Sequence, residues 1–374
     1  YAAFDALLGQ LKMHLRLDPT PFPPECQLPY RCVTQAMRWI ESGTARPGGN
    51  GSGADPSQPF LMWLSFAEPH NPYQVSEPYY SMFPPEALPP ARSGTEALAI
   101  KGFPYQWCRQ SFEKAFPDYI ATIHRARANY HGMLRLIDDQ VRRLFEFLDR
   151  ANLRTNTIVI FVSDHGDFVG EYGLLRKGPE LPEALIRIPL IVTGPGIIPG
   201  NGTPHAAHVS IVDLMPTLCE AIGAPVPEGV QGRSLWPLLT GTFCDRAQFA
   251  SAYAEQGFGG AAYDGSEPLD PARDGLTVSP DGKTWGAFDC LNSWTQSGTM
   301  RMVRKGDWKL VFDAEGRGQL YDLSKDPSEL HNLFGRAEVA PRQSELMAEL
   351  MRWTLRAQDP LPHPRRRYVF KSRG

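Results

Sequence analysis

The sequence predicts an α/β protein built on a mostly parallel sheet flanked by helices, followed by a smaller antiparallel α+β subdomain. Three observations predict it. Two near-continuous apolar runs, at 60–66 and 157–162, each end in a loop carrying ionisable side chains. Between them, residues 122–150 repeat apolar positions at the helical period. Beyond about residue 245 the long elements give way to short segments separated by glycine-containing turns.

Taken in order, residues 44–58 are rich in Gly, Pro, Ser and Asn and read as a flexible loop. Phe60-Leu61-Met62-Trp63-Leu64-Ser65-Phe66 suits a strand buried on both faces. Two prolines in Ala67-Glu68-Pro69-His70-Asn71-Pro72-Tyr73 end it. In 122–150, Ile123, Ala126, Tyr130, Met133, Leu134, Ile137, Val141, Leu144, Phe145 and Leu148 form one stripe. Asp138, Asp139, Arg142, Arg143 and Glu146 fall elsewhere. Thr157-Ile158-Val159-Ile160-Phe161-Val162 is a second buried strand ending in Ser163-Asp164-His165-Gly166-Asp167. A third run, Ile188-Pro189-Leu190-Ile191-Val192, ends in Thr193-Gly194-Pro195-Gly196. Strand, helix, strand, loop, strand is the pattern of a mostly parallel sheet. Segments 300–304, 308–312 and 319–323, joined through Lys305-Gly306-Asp307 and Glu315-Gly316-Arg317-Gly318, read as antiparallel strands. A helix with Leu346, Leu350 and Trp353 on one face follows. The expected division is an α/β domain over 1–244 and a C-terminal subdomain over 245–374.

Composition bounds the function. The chain has 374 residues and 42% hydrophobic content, enough for a substantial core. A net charge of −3 gives no argument for nucleic acid or an anionic membrane as partner. The basic end, Arg365-Arg366-Arg367 with Lys371 and Arg373, reads as a solvated tail before it reads as a binding patch. No apolar run reaches the roughly 18 residues that span a bilayer. The chain begins at Tyr1 without a basic leader and reads as processed or truncated, which leaves its compartment open. The cysteines Cys26, Cys32, Cys108, Cys219, Cys244 and Cys290 fit no zinc or CxxC pattern. Cys26 and Cys32 are either a local disulfide or separate thiols.

Open α/β sheets bind ligands beyond the carboxyl ends of their strands. One run delivers His70 there; another delivers Asp164 and His165. A carboxylate and an imidazole, adjacent on a strand exit, suit one divalent cation. The bland readings are an Asp-His-Gly turn, an ordered loop histidine at 70 and a surface lysine at 177.

In combination these segments resemble the sulfatase family of the alkaline phosphatase superfamily. Ser163-Asp164-His165-Gly166-Asp167, running on to Leu175-Arg176-Lys177, looks like the family's second metal-binding motif. Pro69-His70-Asn71-Pro72-Tyr73 resembles its Pro-His-x-Pro loop. Val209-Ser210-Ile211-Val212-Asp213-Leu214 and Gln231-Gly232-Arg233-Ser234-Leu235 are similar to a downstream structural signature. Leu320-Tyr321-Asp322-Leu323 with Asp326-Pro327-Ser328-Glu329 and Asn332-Leu333 looks like the family's C-terminal subdomain. The resemblance covers roughly 58–355 and implies an alkaline-phosphatase-like fold.

It further implies a sulfuric ester hydrolase. Asp164 and His165 would be metal ligands, and Lys177 and His70 would act on the sulfuryl group and its leaving oxygen. The metal would be calcium, or manganese in a phosphonate monoester or phosphodiester hydrolase, which is the nearest alternative. A small-molecule or carbohydrate sulfate ester would be the partner, and a secreted or periplasmic location fits the family. A non-catalytic homologue is the remaining alternative. The departure is large: the paired aspartates and the Cys-x-Pro-Ser-Arg segment, whose cysteine becomes formylglycine, are both missing from residues 1–374. Cys26-Gln27-Leu28-Pro29-Tyr30-Arg31 places its proline and arginine one residue too far. The resemblance therefore implies a nucleophile outside this chain, and a chain inactive by itself.

Overall fold

A computed structural model describes residues 1–11, 15–42, 58–115, 118–200, 202–266, 277–278, 284–285 and 297–357. The loop at 44–57, Cys290 and the basic tail lie outside the described residues. In chain order the helices are α1 (Ala2–Leu11), α2 (Leu28–Glu41), α3 (Phe103–Ala115), α4 (Tyr119–Arg150), α5 (Leu214–Ala221) and α6 (Ala340–Arg356). The strands are β1 (Val159–Val162), β2 (Leu190–Thr193), β3 (Ser251–Gly259), β4 (Gly298–Lys305), β5 (Trp308–Asp313) and β6 (Gly318–Asp322). The chain forms two compact units that interleave in sequence. The first takes Tyr1–Ala91, Phe116–Thr157 and Val169–Arg176; the second takes Arg92–Ala115, Ile158–Phe168 and Lys177–Gly374.

In the first unit α4 packs against α2. Its inward stripe includes Ile123, Ala126, Met133, Leu136, Ile137 and Leu148. Leu134, expected on that stripe, is exposed, and Leu136 is fully buried. One residue past Met133 is a turn of about 100°, which carries Leu134 off the stripe. Gly132 lets the helix touch the turn at Tyr79: a Cβ there would stand 2.6 Å from the Tyr79 carbonyl oxygen. The run 60–66 is not the strand its composition suggests. It pairs with no strand among the described residues, and its side chains alternate between exposed and half-buried, with Leu61 and Trp63 exposed. An apolar run becomes a strand only where a neighbour takes up its N–H and C=O groups.

In the second unit β1 and β2 pair antiparallel, from Val159↔Thr193 to Val162↔Leu190. This corrects the expectation of parallel neighbours. A parallel crossover usually needs a helix lying across the sheet, and residues 163–189 hold only the helical turns Glu171–Gly173 and Glu183–Ile186. The cross-strand pair Phe161 and Ile191 is exposed, so this ribbon is not buried on both faces.

The C-terminal sheet follows the antiparallel expectation, with strand order β3-β4-β5-β6. Val303, Leu310 and Leu320 lie on one face and pack with Leu346, Leu350 and Trp353 of α6. Trp353 stacks on Tyr253 at 5.7 Å between ring centroids and donates its Nε1–H to Ser251 Oγ at 2.8 Å. The opposite face carries Met302 and Val311, packed with Leu181. The two segments of the downstream signature meet: buried Asp213 accepts the Arg233 backbone N–H at 2.7 Å and the guanidinium at 3.0 Å. Gly232 fits because a Cβ there would lie 1.8 Å from the Val212 carbonyl oxygen. No disulfide forms between Cys26 and Cys32; both are free thiols, as are Cys108, Cys219 and Cys244. Among the described residues no helix is long and apolar enough to cross a membrane.

Candidate functional site

The β-branched and aromatic run of β1 ends at Val162, and the exit is held by local hydrogen bonds. Ser163 Oγ donates to the His165 carbonyl at 2.7 Å, and Asp164 Oδ1 accepts the His165 N–H at 2.9 Å. His165 Nδ1 lies 2.7 Å from the Gly166 carbonyl, which fixes the tautomer: Nδ1 donates, and the Nε2 lone pair points away from the backbone. Nε2 accepts from Lys177 Nζ at 3.0 Å and lies 3.7 Å from Asp164 Oδ2. Asp164, His165 and Lys177 therefore converge inside the second unit. Asp164 keeps 86% of its side chain exposed.

Two features bring Lys177 back to His165. First, the intervening chain bends through backbone conformations that side chains rarely adopt: Val169 has φ 46°, Tyr172 56° and Arg176 64°. A β-branched residue at positive φ is a strained placement, and such placements gather at functional sites. Second, Gly166 lies against the segment that follows Lys177. Its N–H donates to Leu185 O at 2.7 Å, and a Cβ on it would stand 2.0 Å from the Ala184 carbonyl oxygen. Any side chain at 166 would push that segment away.

His70 belongs to the first unit. Its Nδ1 lies 3.0 Å from the Asn71 carbonyl. The loop around it is anchored from several sides. Buried Asn129 of α4 donates to the Tyr73 and Arg16 carbonyls, each at 3.0 Å. Gln74 donates to Gln27 Oε1 at 2.6 Å, and Thr20 N–H donates to Val75 O at 2.9 Å. Tyr73 Oη accepts the Arg176 N–H at 2.9 Å within this unit, three residues after His70 and one before Lys177.

The donor set fits half of a divalent-metal shell. Asp164 supplies an exposed carboxylate and His165 an Nε2 lone pair on the same side. Among the described residues no third His, Cys, Asp or Glu joins them. Residue patterning overlooked the second unit's buried Lys309 and Glu329 and the partly buried Glu180 and Glu183 beside them. Burial pushes the Glu180 carboxyl up, opposed by Lys101 and by a hydrogen bond from Gln319. Lys309 stands at the start of the apolar run Leu310-Val311-Phe312, where a lysine reads as solvent-facing; only the cover over its face reveals it as internal.

Comparison with known proteins places these motifs in a family. The sulfatase family model matches residues 47–224. An arylsulfatase of Clostridium perfringens is 28% identical over 296 residues, covering 77% of this chain and 52% of that protein. The multifunctional alkaline phosphatase superfamily protein PehA of Trinickia caryophylli is 28% identical over 315 residues, covering 81% and 57%. This chain thus spans about half the length of these relatives. Among solved structures, the phosphonate monoester hydrolase of Agrobacterium radiobacter superposes with a TM-score of 0.69 at 23% identity, covering 92% of this chain and 64% of that one. That likeness establishes the alkaline-phosphatase-like α/β fold, and membership implies a divalent metal in general. Residues 47–224 thus form a sulfatase-family domain, and the chain around it shares the alkaline-phosphatase-like fold.

Proposed function

We propose that this chain is the metal- and oxyanion-binding part of a sulfuric ester hydrolase. The observation that carries the reading is the convergence of Asp164, His165 and Lys177 at the end of β1, with Nε2 of His165 3.0 Å from Lys177 Nζ. Asp164 and His165 would hold a divalent ion, calcium for a sulfatase, together with ligands from outside residues 1–374. Such an ion supplies Lewis acidity at the ester oxygen. The nucleophile, a formylglycine in the family, would also come from outside this chain; the division near residue 244 is part of the same reading.

The residues present have definable tasks. The Gly166 carbonyl holds the Nδ1 proton of His165 and so keeps Nε2 as an acceptor. That lone pair serves one partner at a time. With a cation bound there, the Lys177 ammonium gives up Nε2, and a sulfuryl oxygen is a suitable acceptor for it. His70, its Nδ1 turned to the Asn71 carbonyl, would act on the leaving oxygen or the ester. The substrate would be a small-molecule or carbohydrate sulfate ester.

A second reading is hydrolysis of phosphonate monoesters or phosphodiesters, with manganese as the metal. The superposition on a phosphonate monoester hydrolase and the similarity to a multifunctional relative favour it. The deciding experiment assays the full-length protein, made with a formylglycine-generating enzyme, on 4-nitrophenyl sulfate and on 4-nitrophenyl phenylphosphonate with each metal. Faster turnover of the sulfate supports the first reading, and faster turnover of the phosphonate the second. Turnover of neither overturns both.

A further inference from the structure

We propose that the buried cluster of Lys309, Glu329 and Glu183 is a positioning device for Lys177 and His165. Through it, one face of the C-terminal sheet would set the geometry of the site. As a statement about catalysis it rests on the hydrolase reading above; as a statement about structure it does not.

The argument begins with strand register. Arg304 pairs with Lys309, and Lys309 with Tyr321, so these three side chains form one cross-strand row. Met302, Val311 and Gln319 form the next row on the same face. Both rows meet the segment that follows Lys177. Met302 and Val311 pack on Leu181. Gln319 donates to Glu180 Oε1 at 3.2 Å. Arg304 pairs with Glu183.

Lys309, 0% exposed, is the centre of the arrangement. Its ammonium lies 2.6 Å from Glu329 Oε1 and 3.4 Å from Glu183 Oε1, and it donates to the Leu181 carbonyl. Glu329 Oε2 in turn accepts the Glu183 backbone N–H at 2.7 Å. The Glu329 carbonyl accepts from Lys101 Nζ at 3.5 Å. The Glu183 side chain, the Glu183 N–H and the Leu181 carbonyl lie four to six residues past Lys177. Leu185, at the end of the same segment, accepts the N–H of Gly166, the residue next to His165. The cluster therefore grips the chain between Lys177 and Leu185, the residue that holds Gly166 beside His165.

Charge chemistry indicates a task beyond adhesion. A buried ion pair is no more stabilising than apolar side chains of the same shape, because desolvation cancels most of the attraction. What ions add is register: three donors on one ammonium and two acceptors on one carboxylate accept a single placement of the backbone they bind. Leu181 on Met302 and Val311 already supplies apolar adhesion here. The ions add a fixed position along the strand direction, which an ammonium directed at an oxyanion requires.

The test uses Glu183→Gln and Lys309→Met in the full-length protein. Two readouts are taken: backbone amide exchange, and kcat and KM on 4-nitrophenyl sulfate and 4-nitrophenyl phenylphosphonate. Glu183→Gln keeps the backbone N–H on Glu329 and loses only the charge, so it carries the test if Lys309→Met fails to fold. The expected result is exchange at Gly166 accelerated by about tenfold or more, with amides of β4–β6 nearly unchanged. Alongside it, kcat should fall by about tenfold to a hundredfold with KM little altered. Equal loosening of the sheet and of Gly166 would overturn the proposal in favour of a purely structural role. So would an accelerated Gly166 with wild-type kcat, which leaves the hydrolase reading standing. If the unsubstituted protein turns over neither ester, the functional reading fails, and the exchange pattern alone decides whether the cluster positions Gly166.

Discussion

Glu68 stands directly ahead of Pro69-His70 and is 9% exposed. Its Oε2 has no hydrogen-bond partner among the described residues. Burial raises the carboxyl from 4.5 to about 7, opposed only by its own backbone N–H. The folded chain therefore keeps a proton that the unfolded chain has already released. That contribution to stability is fully present below about 4.5 and is lost as the pH rises through about 7. At 1.36 kcal/mol per tenfold change in proton affinity, the interval corresponds to about 3 kcal/mol. Glu68→Gln keeps the size and removes the titration. The assay is urea unfolding of both proteins at about pH 5, 6, 7 and 8, with the difference in unfolding free energy plotted against pH. All other titrating groups cancel in that difference. The wild type should lose about 2.5 kcal/mol relative to the variant between pH 5 and 8, most of it below pH 7. A difference that stays constant across the range refutes the reasoning, and means that water or a nearby cation solvates Glu68 in the folded chain.

Three further outcomes are expected. Gly232→Ala should destabilise the chain by about 3 kcal/mol in thermal or urea unfolding, since the added Cβ meets the Val212 backbone and not a movable side chain. Lys177→Ala in the full-length protein should lower kcat by about a hundredfold or more on esters with poor leaving groups, with a smaller change in KM, as read from steady-state kinetics. Residues 1–374 alone, co-expressed with a formylglycine-generating enzyme and given calcium or manganese, should not complete multiple turnovers of an aryl sulfate; turnover above a Lys177→Ala control would mean a nucleophile has been overlooked.

The sequence by itself determined what local pattern and chemistry encode. The helical stripe of 122–150, the antiparallel strands after residue 298 and the helix bearing Leu346, Leu350 and Trp353 all follow from periodicity. Asp164 and His165 were legible because a strand exit with adjacent metal-type ligands is a local feature. Lys177 entered only through the family resemblance, since its own pattern reads as a surface lysine; the fold brings its Nζ to 3.0 Å from His165 Nε2. Only the tertiary structure decided the pairing of β1 with β2 and left 60–66 without a paired strand among the described residues, because strand neighbours are set by distant chain. The same holds for the burial of Lys309. A lysine beside an apolar run reads as surface until a second layer covers its face, and here that layer is the segment 180–186, more than 120 residues earlier in the chain. Whether a lysine is a solvated surface charge or the anchor of a site depends on what surrounds it, and that is fixed by packing between segments far apart in sequence.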